Sequence, residues 1–156
     1  MKPTDEPAST NPRIRLLTPT EHADDANPPD SALLTTLTTL TTLAIGNDEE
    51  LPPLAARIAQ AARIDLHFPS FTDGRAYSQA YLLRKRFGFA GDLRATGDVL
   101  IDQLLLMERT GFSSAVLGAG TDLAAAHRQL DRFPGFYQRD ARTATPRQDA
   151  ATHAEK

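Results

Sequence analysis

Residues 64–75 read Ile-Asp-Leu-His-Phe-Pro-Ser-Phe-Thr-Asp-Gly-Arg, an alternating apolar and polar run that meets a proline and then a Gly/Asp turn. Alternation with a period of two predicts a strand, which Pro69 ends. After the turn, apolar residues recur three to four positions apart as far as Gly88. This spacing predicts a helix that closes at a left-handed glycine.

The order of strand, turn and helix occurs three more times along the chain. An apolar run at 43–45 precedes a helix predicted over about 50–62. Residues 93–96 precede a helix over 99–109, which Asp98 is expected to cap, and residues 115–117 precede a helix that begins near Thr121. Strands that alternate with helices pair in parallel with right-handed crossovers. The sequence therefore predicts an α/β fold of about four parallel strands, as an open sheet or a half-barrel.

The chain divides into three parts by composition. Residues 1–42 hold most of the prolines and a Thr-Thr-Leu repeat, and they are expected to form a disordered, low-complexity arm. Residues 43–138 carry the periodic apolar pattern and are expected to fold as a single α/β domain. Residues 139–156 lack an apolar face and are expected to form a disordered tail.

Composition excludes several classes of protein. The chain has no cysteine, which removes thiolate nucleophiles and Fe–S ligation by this chain. No two of its four histidines have metal-ligand spacing, so no metal site is expected. A net charge of −3 without a dense basic face speaks against nucleic acid as a partner. No membrane span and no secretory signal are visible, which favours the cytoplasm.

Several motifs carry a family resemblance. Residues 68–78 read Phe-Pro-Ser-Phe-Thr-Asp-Gly-Arg-Ala-Tyr-Ser, and residues 91–103 read Gly-Asp-Leu-Arg-Ala-Thr-Gly-Asp-Val-Leu-Ile-Asp-Gln. Together with 82–88, Gly111-Phe112 and 136–138, they resemble a bacterial domain family of unknown function. That family is typically encoded beside assimilatory sulfite reductase, and it is often labelled an oxidoreductase of sulfite reduction.

This resemblance implies an accessory protein of assimilatory sulfite reduction, within sulfate assimilation and cysteine biosynthesis, with sulfite reductase as its partner. Sirohaem and an Fe–S cluster are then expected only in that reductase, and no cofactor is expected in this chain. No redox motif is visible, so whether the protein is an enzyme stays open. Family members commonly carry an ordered strand ahead of the motif block, where this chain has its proline-rich arm, and a cysteine where it has Thr110.

Ligands of parallel α/β proteins bind at the carboxyl ends of the strands, so the loops 69–75, 97–98 and 118–121 are the expected site. Polar residues and glycines at or near the first two of these loops are the candidates for binding an anion. They are Asp73, Gly74, Arg75, Ser78, Arg94, Gly97, Asp98, Asp102 and Gln103.

Two of the candidates are arginines, Arg75 and Arg94. A guanidinium fork beside a helix amino terminus is suited to a sulfur- or phosphate-containing anion. The alternative function is therefore a small enzyme or binding protein for such a ligand. The competing interpretation is that Arg75 pairs with Asp73 or Asp98 and only fixes the loops.

The remaining candidates indicate chemistry less specifically. Asp98 and Asp102 are four apart and are expected to share a helix face, as acid–base groups or Mg²⁺ ligands, or simply as a cap and a polar surface residue. His67 is either a proton relay or a half-buried histidine. Gly118 and Gly120 resemble a phosphate turn without a full dinucleotide fingerprint. Catalytic residues therefore stay unassigned.

Overall fold

The computed structural model describes residues 13–26, 42–132 and 141. Its centre is one open sheet of five parallel strands. They are β1 (Arg15–Leu17), β2 (Thr42–Ile45), β3 (Arg63–Phe68), β4 (Asp92–Gly97) and β5 (Ser114–Val116). The predicted class, parallel α/β, is confirmed, and the sheet is open rather than half of a barrel.

In the described part of the chain, five helices accompany the strands. They are α1 (Pro19–Ala26), α2 (Ala55–Gln60), α3 (Arg75–Lys85), α4 (Leu104–Thr110) and α5 (Leu123–Asp131). Short 3₁₀ turns, Pro52–Leu54 and Ile101–Gln103, lead into α2 and α4. Helix α4 ends at Gly111, whose φ of 116° is left-handed, because a glycine adopts this conformation without steric cost.

The strand order is β1-β5-β4-β3-β2. The chain crosses from β1 at one edge to β2 at the other edge and then returns strand by strand to β5. Right-handed crossovers that run in opposite directions along a sheet lie on its opposite faces. Helix α1, which follows β1, therefore lies on one face, and α2 to α5 lie on the other.

The face covered by α2 to α5 holds the hydrophobic core, and we call it the core face. Alternate residues of β3, Ile64, Leu66 and Phe68, are fully buried there. They pack with apolar side chains of the helices, such as Leu83 of α3 and Met107 of α4. The period-two alternation that predicts β3 thus has its physical origin in this contact.

The opposite face of the sheet carries mostly polar side chains, and we call it the polar face. In the parallel register of β3 and β4, Asp65 lies beside Arg94 and His67 beside Thr96. The members of this face on the three central strands are Arg63, Asp65, His67, Asp92, Arg94, Thr96, Ser114 and Val116. Helix α1 covers part of this face.

The structure differs from the expected disordered arm over residues 13–26. Strand β1 pairs with β5, and Ile14 and Leu17 are buried, which offsets the entropy of ordering the segment. Thr18 begins α1 with a capping box, in which its hydroxyl accepts from the Glu21 N–H and the Glu21 carboxylate accepts from the Thr18 N–H. The sheet consequently has five strands rather than about four.

Other parts of the predicted domain plan lie outside the described residues. They are residues 1–12 and 27–41 of the arm, with most of the Thr-Thr-Leu repeat, and residues 133–140 and 142–156 toward the carboxyl end. The boundary near residue 138 and the carboxyl-terminal tail therefore stay predictions.

Candidate functional site

The loop after β3 is held by side chains from the neighbouring strand connection. The Phe71 N–H donates to the Asp98 carboxylate at 2.9 Å, and the Gln103 amide nitrogen donates to the Phe71 carbonyl at 3.0 Å. Two of the predicted site residues, Asp98 and Gln103, thus meet at the expected edge of the sheet. What they contact in this structure is the loop backbone.

Asp73 and Arg75 form an ion pair at the start of α3. The Arg75 Nη2 donates to the Asp73 Oδ2 at 2.6 Å, and the Asn47 amide, which follows β2, donates to the same oxygen at 2.6 Å. Hydrogen bonds from the Arg75 side chain and backbone lower the pKa of Asp73 to about 2. This is one of the two pairings that the sequence left open for Arg75.

The prediction that Asp98 and Asp102 share one face of a helix is wrong. Leu100 has an extended backbone, with φ −101° and ψ 147°, so the helical geometry begins only after it. Asp98 consequently does not cap α4, which has no side-chain cap, and it bonds to the loop after β3 instead. Asp102 is exposed in the 3₁₀ turn.

Three further predicted site residues, Gly74, Ser78 and Gly97, have positions that their local structure explains. Gly74 is the residue just before α3, and Ser78 is exposed on that helix. Gly97 ends β4 with a φ of 88°, and a Cβ there would collide with the Phe68 carbonyl oxygen and the His67 ring. The need for glycine at this position is therefore conformational.

Arg94 lies on the polar face and not at the strand-end loops. Its side chain is 2% exposed and donates to the Asp92 carboxylate, the Asp25 carboxylate and the Ser114 hydroxyl, at 2.9, 2.9 and 3.1 Å. The structure therefore does not bring Arg94 and Arg75 to a common anion, because each arginine holds different carboxylates.

Asp92 is the main counter-ion of Arg94. Burial raises the pKa of this carboxyl, but hydrogen bonds from the Ser113 and Ser114 hydroxyls and the Arg94 charge outweigh burial and lower the pKa overall. An ionised Asp92 thus fixes Arg94, which in turn reaches across to α1.

Helix α1 adds His22 to the polar face. The Arg94 Nη1 lies 3.1 Å from the His22 Nδ1. A guanidinium can only donate hydrogen bonds, so Nδ1 is the acceptor and the neutral ring carries its proton on Nε2. Burial lowers the pKa of His22, which keeps the ring neutral near pH 7.

A cavity of about 540 Å³ opens on the polar face next to His22. Asp65, His67 and Thr96 line it from β3 and β4, and residues at and after the end of β2 complete it. Burial raises the pKa of Asp65, while Arg63, whose Nε lies 3.0 Å from its Oδ1, opposes the shift. The cavity thus holds a carboxyl and an imidazole with pKa values moved toward each other, which suits proton exchange or polar binding.

A second cavity of about 300 Å³ lies between the carboxyl ends of β1 and β5. The connections after these two adjacent strands leave on opposite faces, so this is the switch point of the sheet. The predicted loop 118–121 lines the cavity. The amino ends of α1 and α5 beside it are already capped, by Thr18 and by Asp122.

Sequence reasoning missed His22, Asp25 and Asp65, and it assigned Arg94 to the strand ends. The first two lie in the segment treated as an arm. The sequence Thr18-x-x-Glu21 has the pattern of a capping box, which indicates that a helix starts at Thr18. No sequence signal joins Asp25 to Arg94, which is 69 positions away.

The fold is an open-sheet α/β fold, and its polar face carries a cavity lined by carboxylate and imidazole groups. The family model described as a bacterial protein of unknown function (DUF934) matches residues 42–148, and the chain belongs to this family. A search of the curated proteins and a search of the solved structures each found no match.

Two features of the described residues concern membrane spans and metal sites. None of the helices in the described ranges is long and apolar enough to cross a membrane. Within residues 13–26, 42–132 and 141, no three His, Asp or Glu side chains are grouped so as to hold a metal ion.

Proposed function

We propose that the protein is an accessory protein of assimilatory sulfite reduction that assists sulfite reductase. The observation that carries the proposal is the motif block at 68–78 and 91–103, which resembles the family encoded beside that reductase. Family membership over residues 42–148 supports it, because the match includes the whole block.

The chemistry of the chain agrees with an assisting role. Reduction of sulfite to sulfide consumes six electrons, and the chain has no cysteine with which to ligate an Fe–S cluster. On this proposal, sirohaem and the cluster belong to the partner reductase. This chain would bind the partner or supply it with a ligand.

The second candidate function is a small enzyme or binding protein for a sulfur- or phosphate-containing anion at Arg75 and Arg94. Arg75 favours it, because its side chain is 60% exposed at the start of α3. Arg94 weakens it, because that side chain is 2% exposed and each of its three nitrogens already donates to a neighbouring side chain. The anion function therefore depends on Arg75.

The first test is growth of a deletion strain of the host on different sulfur sources. The strain should fail on sulfate and on sulfite, and it should grow normally on sulfide or cysteine, because only the reduction of sulfite is impaired. Sulfite reductase activity in its extract should fall, and the tagged chain should copurify with the reductase from the wild type. Normal growth on sulfite, or failure on sulfide as well, would contradict the proposal.

Substitution separates the two candidate functions. Arg75→Met keeps much of the side-chain volume and removes the charge. Arg57→Met, on the exposed side of α2, is the matched control. If Arg75→Met complements the deletion as well as Arg57→Met does, the anion function at Arg75 is wrong while the accessory function stands.

A further inference from the structure

The polar-face cavity has the size of a site for a small organic molecule. Its volume of about 540 Å³ lies in the usual range for ligand pockets, far above what a single ion fills. Its walls come from α1, β2, β3 and β4 and from the connection after β2, which supplies Gly46 and Glu49. Because three of these elements are strands of one sheet, the wall groups on β2, β3 and β4 keep fixed positions relative to one another.

The hydrogen bond between Arg94 and His22 means that the His22 ring can only donate a hydrogen bond to a ligand. The Nδ1 is occupied by Arg94, and the proton resides on Nε2. Because burial lowers the pKa of His22, the ring is a neutral donor rather than a cation. A molecule in the cavity can therefore accept a hydrogen bond from Nε2 but gains no positive partner there.

The charge of the cavity wall is negative. Two carboxylates, Asp65 and Glu49, line it, and no arginine or lysine of the described residues does. The nearby arginines are engaged: Arg63 pairs with Asp65, and Arg94 pairs with Asp92 and Asp25. Asp25 also pairs with Arg15, so three arginines face four carboxylates around the cavity.

Asp65 keeps capacity to accept a hydrogen bond at Oδ2, because Oδ1 is buried against Arg63. The Arg63 Nε is 3.0 Å from Oδ1 without hydrogen-bond geometry, and the Arg63 Nη2 donates to Oδ2 only at 3.4 Å. A largely buried carboxylate with such weak bonds is stabilised by a donor that carries positive charge.

We infer that this cavity binds a small molecule that carries a protonated amine together with a hydrogen-bond acceptor, as amino alcohols and α-amino acids do. The ammonium group bonds to Asp65 and Glu49, and the acceptor receives the Nε2–H of His22. The cavity meets the strand-end loops at Gly97 and at the connection after β2, but Arg75 does not line it. The inference does not depend on the proposed role in sulfite reduction.

The test is binding of two probes, ethanolamine and L-serine, to the full chain, followed by NMR. Both probes should shift the side-chain signals of His22 and the backbone signals of His67 and Thr96 in a saturable way. Sodium sulfate at matched ionic strength should not. Long-range ¹H–¹⁵N spectra of the free protein should show His22 as the Nε2–H tautomer, which tests the geometry independently.

Variants locate the amine. Asp65→Asn removes the charge with little change of shape and should weaken ethanolamine binding about tenfold, the loss of one charged hydrogen bond. Because this change also leaves Arg63 without its partner, Glu49→Gln at the exposed rim is a second test and should weaken binding by a smaller factor. Asp131→Asn, exposed on α5, is the matched control and should bind as the wild type does.

The outcomes decide the inference. Saturable binding of either probe that Glu49→Gln weakens and Asp131→Asn does not supports it. No saturable shift with either probe up to tens of millimolar overturns it, as does sulfate binding at the same residues. Growth defects of the deletion strain bear only on the proposed function, so the two can fail separately.

Discussion

The two faces of the sheet bury side chains by different physical means. On the core face, Ile64, Leu66 and Phe68 are fully buried among other apolar groups, where shape and area determine the stability. On the polar face, Arg94 and Ser114 are equally buried, but each depends on particular partners. A change on the core face therefore costs in proportion to the volume lost. A change on the polar face costs according to which partners are left unpaired.

The largest effect is expected from Phe68→Ala on the core face. The Phe68 ring contacts the rings of Tyr77 and Phe112, with centroids 5.0 and 5.8 Å away. Removing a fully buried ring leaves a cavity, so the free energy of unfolding should fall by about 4 kcal/mol. Urea denaturation followed by circular dichroism measures this change.

Phe71→Ala is the matched control, because the Phe71 side chain is 47% exposed in the loop after β3. It should change the free energy of unfolding by less than about 0.5 kcal/mol. Equal losses for the two variants would mean that Phe68 is not a core residue, and the distinction between the faces would fail.

The next effect is expected from Arg94→Met on the polar face. Methionine fills much of the space but donates nothing, so Asp92 loses its cation and Asp25 and His22 lose their link to β4. Breaking a buried ion pair from one side typically costs several kcal/mol. We expect about 3 kcal/mol here, because Asp92 keeps its bonds to Ser113 and Ser114.

Arg75→Met is the control for Arg94→Met, since Arg75 is exposed and its pair with Asp73 is screened by water. The free energy of unfolding of this variant should stay near that of the wild type. If Arg94→Met were as stable as Arg75→Met, the polar face would be a solvated surface rather than a buried network.

A smaller effect is expected at the edge of the sheet. Ile14 precedes β1 and is 3% exposed in the core, so Ile14→Ala should lower the free energy of unfolding by about 2 kcal/mol. Arg15→Ala, one position on and exposed, should leave it nearly unchanged. Identical stability of both variants would mean that residues 13–26 behave as the arm that composition predicts.

The core face could be predicted from the sequence because its signals are local. Period-two alternation predicts β3, and the glycine at position 111 predicts the end of α4. Strand β1 could not be predicted in this way. It has only three residues, too few to show a period, and prolines stand close on both sides of it.

The polar face could not be predicted because its partners are far apart along the chain. Asp65 and Arg94 occupy alternate strand positions, which a sequence pattern assigns to solvent. Arg94 is buried and Asp65 is partly buried because α1 and the neighbouring strands cover them, and the Arg94–Asp25 bond joins residues 69 positions apart. The predicted cap of α4 by Asp98 is wrong for a different reason, since an extended Leu100 separates Asp98 from the helix.

The smallest effect concerns Asp73, outside both faces. Hydrogen bonds from Arg75 lower the pKa of Asp73 from its ordinary value of 3.8 to about 2. A lowered pKa in the folded state means that the stabilisation is fully present above the unfolded value and is lost as the pH falls through about 2. An NMR titration of the Asp73 side-chain carbon should therefore show a midpoint near 2, with little effect on overall stability because Arg75 is exposed and water screens the pair. Arg75→Met should return the midpoint toward 3.8, whereas Arg57→Met should not move it. A wild-type midpoint near 3.8 would show that the pair does not persist in solution, and Arg75 would then be available to an anion as the sequence suggests.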